Sequence, residues 1–137
     1  PQHSTVSPFC TALTGHTQAD VDRGVTFPEA FEQLRASFGF KNRVMVSWGD
    51  YDRKMFDRML ALHKLPAQDW RHLNLKQAFS MLLYPEKEVG MSTALDRLRL
   101  PLVGRHHNGA DDAANIATIL LTLQQMTNAM LPVREAL

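Results

Sequence analysis

Two short stretches of the sequence gather side chains that could do chemistry. Ser47-Trp48-Gly49-Asp50-Tyr51-Asp52 follows an apolar run, and Arg105-His106-His107-Asn108-Gly109-Ala110-Asp111-Asp112 opens a long amphipathic segment with a histidine five residues before an acid. Carboxylates are hard oxygen ligands suited to Mg²⁺ or Mn²⁺, and an imidazole that titrates near neutrality can take a proton from an attacking water. Together they point to metal-assisted chemistry. Each stretch also has a plain structural alternative. Asp50 or Asp52, and Asp111 or Asp112, could cap free amides at the start of a helix and complement its dipole. A His-His pair in a loop is usually solvated or bonded to backbone groups. Zinc fits poorly, because four ligands would need His106, His107 and both neighbouring aspartates from one short loop.

These groups need elements to hold them. Val44-Met45-Val46-Ser47-Trp48 is a continuous β-rich run between Arg43 and Gly49, the pattern of a central strand covered on both faces. Open α/β sheets put their ligand sites at the carboxyl ends of such strands. After Gly49 the period changes, with Met55, Phe56, Met59, Leu60 and His63 on one helical face and Pro66 closing the segment. A weaker strand candidate, His72 to Leu75, leads into a helix over 76–83. Gly90 separates it from a short helix over 92–98, capped by Ser92. From about Asp111, Ile116, Ile119, Leu120, Leu123 and Met126 form an apolar stripe that Pro132 stops. Upstream, Pro1 to Cys10 reads as an extended arm. Thr17 to Asp20 has capping-box spacing and opens a helical turn that Gly24 ends. Thr26 and Pro28 begin a helix with Phe27, Ala30, Phe31, Leu34 and Phe38 inward, ending at Gly39. The pattern is α/β.

The 137 residues suit one domain, residues 1–137, and 45% hydrophobic with 21% charged residues is too apolar for a disordered chain. No apolar run approaches the roughly 20 residues of a membrane span. A net charge of +1 leaves nucleic-acid binding to local groups such as Arg43, Arg53, Lys54 and Arg105. The single Cys10 excludes an intrachain disulfide and a cysteine zinc site, and suits a reducing, cytoplasmic setting. One doubly covered strand leaves its edge amides without partners, so further strands, or another copy of the chain, must supply them.

The segments Ser7-Pro8-Phe9-Cys10-Thr11-Ala12-Leu13-Thr14-Gly15, Val21-Asp22, Ser47 to Asp52, His72-Leu73-Asn74-Leu75-Lys76 and His106 to Ala117 resemble the DEDDh 3′→5′ exonucleases over nearly the whole chain. The branch holds the histone-mRNA and RNA-interference exonucleases and bacterial relatives described as sporulation-kinase inhibitors. The resemblance implies a ribonuclease H-like exonuclease fold with helices packed on a mixed sheet. It implies His107 as the base, Asp52 rather than Asp50 and Asp112 as metal-binding carboxylates, and Leu13, Thr14 and Tyr51 as substrate contacts. It also implies Mg²⁺ or Mn²⁺, and RNA or single-stranded DNA 3′ ends as partners. The family's first strand carries an Asp-x-Glu motif that these residues lack, so the expectation is the C-terminal part of a single exonuclease domain. The sheet would then miss its first strands, its exposed edge would favour a homo-oligomer, and the chain alone would be weak or inactive.

Overall fold

The computed structural model describes residues 5–39 and 43–130. Helix α1 (Pro8–Thr14) corrects the extended arm over its last residues. Ser7 caps it by accepting from the Cys10 amide at 3.1 Å. Pro8 at the first helical position brings a φ already set for a helix and lacks only an amide that would be unpaired there, so Ser-Pro starts this element rather than preventing it. Helix α2 (Gln18–Asp22) opens with the expected capping box, and α3 (Phe27–Phe38) runs from Thr26 to Gly39 as its apolar spacing requires.

Both capping boxes hold an acid below its usual range. The Thr26 hydroxyl, then the Thr26 amide, holds the Glu29 carboxyl down, and Thr17 acts in the same way on Asp20. An acid depressed on folding contributes stability above its unfolded value, and that contribution is lost as pH falls through the folded one. Carboxyl ¹³C titration should therefore give midpoints for Asp20 and Glu29 below those in the unfolded chain, with both helix starts loosening at the acid end.

The remaining elements are β1 (Met45–Ser47), α4 (Tyr51–Leu62), β2 (His72–Asn74), α5 (Leu75–Leu83), α6 (Met91–Arg97) and α7 (Gly109–Met130). The described strands form one parallel pair, Met45 opposite His72 and Ser47 opposite Asn74, with α4 in the crossover that a parallel pair needs. β1 is shorter than the apolar run and is not covered on both faces. Val44 stays exposed, Met45 and Val46 are half-buried, and Ser47 is buried. Trp48 turns away and donates its indole N–H to the Val89 carbonyl at 3.1 Å.

The core lies between α5, α6 and α7, where Leu75, Phe79, Met91, Ala94, Leu95, Ile119 and Leu123 bury one another, and Val46, Trp48 and Leu73 pack against it from the sheet side. A second aromatic group, Phe27, Phe31, Phe56 and Trp70, joins α3 to α4. Gly90, not Ser92, is the N-cap of α6, because burying Met91 draws the cap two residues earlier. α7 likewise begins before Asp111, and Pro132 lies outside the described residues. No described helix is long and apolar enough to cross a membrane.

Candidate active site

The first two turns of α7 hold the loop in front of it by side-chain bonds. Asn108 caps the helix, its carbonyl accepting from the Asp112 amide at 2.8 Å and its Oδ1 from the Ala110 amide at 3.2 Å. Asn115, 2% exposed, accepts from the Val103 amide at 3.0 Å and donates to the Val103 and Asp111 carbonyls, both at 2.8 Å. Asp111 accepts from the Arg105 amide at 2.8 Å. Its carboxyl fills the space that a side chain at Gly104 would need, and φ there is +74°. Glycine is required at that position on both counts.

Asp112 closes the loop. Its Oδ2 accepts from the His107 amide at 3.1 Å, and its Oδ1 lies 3.0 Å from His106 Nδ1. The two imidazoles stack at 4.0 Å, and His107 sits at φ +71°, a left-handed conformation uncommon outside glycine. Ligand-type atoms of His106, His107 and Asp112 all lie within 4.8 Å of one another. The structure thus brings His107 and Asp112 together, with His106 as the imidazole that meets the carboxylate directly. Truncating Asn115 should loosen this loop. Asn115→Ala removes the three bonds of a buried amide to the Val103 amide and the Val103 and Asp111 carbonyls, at a cost of about 1–3 kcal/mol measurable by urea unfolding.

Helix α1 reaches the same loop. Asn108 Nδ2 donates to the Thr14 carbonyl at 3.2 Å, and the Arg105 guanidinium packs against Gly15. Thr14 is half-buried and Leu13 is exposed at this junction. On the other side of the sequence pattern, Asp52 is exposed in the first turn of α4, and Tyr51 beside it is 70% exposed. Asp52 lies outside the His106–His107–Asp112 cluster. Asp50 is the N-cap residue of α4, yet its side chain caps no amide. Of the cations, Arg53 pairs with Asp57 at 3.2 Å, Arg43 donates to the Phe38 carbonyl at 2.6 Å, and Arg105 lies in the histidine loop itself.

Residue spacing did not reveal the clamping roles of Asn108, Asp111 and Asn115. An asparagine immediately before Gly109 was the available capping signal. Nothing in the sequence marked the Thr14 contact, which spans 94 positions.

The donor chemistry separates metal classes. His106, His107 and Asp112 are three side chains of one loop, short of the four that a closed tetrahedral zinc site takes. The carboxylates offer the oxygen atoms that Mg²⁺ or Mn²⁺ prefers.

The sequence profile described as Exonuclease (RNase_T) matches residues 1–120. The chain belongs to the exonuclease family. Human "ERI1 exoribonuclease 3" is 34% identical over 131 residues, covering 88% of this chain and 39% of the relative. Human "3′-5′ exoribonuclease 1" is 28% identical, covering 90% and 38%. The chain therefore spans well under half the length of these curated relatives. The nuclease domain of 3′hExo, a DEDDh family member solved bound to rAMP, superposes with a TM-score of 0.78 at 25% identity, over 100% of this chain and 73% of that one. A 3′-exonuclease solved in recognition of the histone mRNA stem-loop gives a TM-score of 0.76 at 27% identity, covering 88% and 58%. The fold is the ribonuclease H-like one of the DEDDh exonucleases, here with helices around a small parallel sheet, and the family is divalent-metal dependent.

Proposed function

We propose that the chain is the C-terminal part of a 3′→5′ exonuclease domain that removes nucleoside 5′-monophosphates from the 3′ ends of RNA. The observation that carries this reading is the His107–Asp112 closure, in which a strained backbone and an amide-to-carboxylate bond hold an exposed imidazole beside a carboxylate at a helix start. RNA is favoured over single-stranded DNA by the relatives, which are named exoribonucleases.

In this reading His107 takes the proton of the water that attacks the terminal phosphodiester. Asp112 orients the loop through the His107 amide and lends an oxygen to a divalent cation, and Asp52 lends another from α4. A bound Mg²⁺ or Mn²⁺ would polarise the phosphoryl oxygen and stabilise the leaving oxygen. Leu13 and Thr14, at the α1 junction, and the exposed ring of Tyr51 would receive the terminal nucleotide, a base stacking on the ring. Arg105 would meet phosphate. Two carboxylates neutralise only half the charge of two divalent ions, so the chain alone should be a weak catalyst. A cytoplasmic setting suits the exposed free thiol of Cys10. A second copy pairing along the edge of the two-stranded sheet is the self-association this reading allows, which light scattering would test.

The deciding experiment degrades 3′-end-labelled RNA with this chain and with a version extended upstream, each with Mg²⁺ and with chelator. Metal-dependent release of mononucleotides by the extended version, and little by the chain alone, is expected. Binding without degradation by both would favour a noncatalytic nucleic-acid-binding or regulatory protein on a nuclease scaffold.

A further inference from the structure

The turn between β1 and α4 carries polar contacts of its own, separate from the histidine loop. Ser47, 3% exposed, ends β1, and His72, whose side chain is 9% exposed, begins β2. The parallel register sets His72 opposite Met45, so His72 and Ser47 share a face of the pair, one step along the pleat from each other. Their side chains meet at 2.8 Å through His72 Nε2, and Ser47 Oγ also lies 2.7 Å from the Gly49 carbonyl oxygen.

A hydroxyl has one proton, and a carbonyl can only accept. The Ser47 proton therefore goes to Gly49, the Ser47 oxygen must accept from His72, and the neutral imidazole carries its proton on Nε2. Nδ1 faces Asp50 Oδ1 at 3.8 Å, beyond hydrogen-bond range. Ser47 is not a nucleophile here, since its oxygen is buried and its proton is committed. What the contacts do is mechanical. Gly49 has φ +106° and α4 has no side-chain cap, so the turn is held by this relay on one side and by the Trp48 bond to Val89 on the other.

We propose that His72 is a positioning residue, donating Nε2–H to Ser47, which donates to the Gly49 carbonyl and so fixes the turn that presents Tyr51 and Asp52. The use of Asp52 as a ligand rests on the proposed function, whereas the relay does not.

Long-range ¹H–¹⁵N correlation on the labelled full chain, at a pH where the imidazole is neutral, should show His72 as the Nε2–H tautomer. His72→Gln keeps a donor at that reach and should leave the Gly49 to Asp52 amide signals near their wild-type positions. His72→Phe fills the space without a donor and should displace those signals and reduce their protection from hydrogen exchange. A merely space-filling role would reverse the two variants. An Nδ1–H tautomer, or His72→Phe spectra unchanged over Gly49 to Asp52, would overturn the proposal. If His72→Phe does not fold, Ser47→Ala decides, because it removes both relay bonds and should displace the Gly49 to Asp52 amide signals, and signals left unchanged there count against the relay. An intact relay in a chain whose upstream-extended version also never degrades RNA would instead be the failure of the nuclease reading.

Discussion

Replacing His107 by alanine should lower the rate of 3′-end degradation by about 10²- to 10⁴-fold, the usual contribution of a positioned general base. The loss should fall on kcat rather than KM, because the imidazole acts on the water and not on the bound strand. The measurement belongs on whichever form of the chain degrades RNA, alone or extended upstream. His106→Ala should cost less. It removes the stacked ring and one bond to Asp112 but leaves the His107 amide on the same carboxylate. Asp112→Asn should approach the His107 loss. Asparagine offers one acceptor oxygen where Asp112 now turns one to the His107 amide and another to the His106 ring, and the carboxylate charge disappears. A large loss in His106→Ala with His107→Ala near wild type would transfer the role of base to His106.

Phe79→Ala should destabilise the fold by about 3–5 kcal/mol, read as a lower urea midpoint, because a fully buried ring is replaced by a cavity. Phe79 is 0% exposed, and its ring stands 5.8 Å from that of Trp48. Against a total stability of about 5–15 kcal/mol, that loss is a large share. Met81, on the same helix but 80% exposed, is the control, and Met81→Ala should stay within about 0.5 kcal/mol of wild type. Since Trp48 precedes Gly49 and is tied to Val89, a cavity beneath it should also loosen the turn that carries Tyr51 and Asp52. An unfolding midpoint equal to that of Met81→Ala would show that Phe79 does not carry the core.

Much of the fold was legible because local signals and burial agreed. The capping box at Thr17, the helix start at Thr26, the stripe along α7 and the glycine stop after α3 are all periodic or positional features that need no distant partner. The extended reading of residues 1–10 fails at α1 because Pro8, placed beside Ser7, opens a helix. The strand was overextended because apolar composition does not say where a chain leaves a sheet. Trp48 leaves because its indole N–H finds the Val89 carbonyl, 41 positions away.

The candidate site divides in the same way. Residue types and spacing marked the two stretches that hold Asp50, Asp52, His106, His107, Asp111 and Asp112 and the hard-cation chemistry that carboxylates and an imidazole can share, and the family resemblance chose Asp52, His107 and Asp112 among them. Tertiary structure decided that Asp112 would hold the His107 amide and meet the His106 ring, that Asp111 would serve the loop amide at Arg105, and that Thr14 would accept from Asn108. Those outcomes depend on hydrogen-bond directions and on which backbone groups are left to be paired when helices meet. A linear pattern of residue types specifies neither.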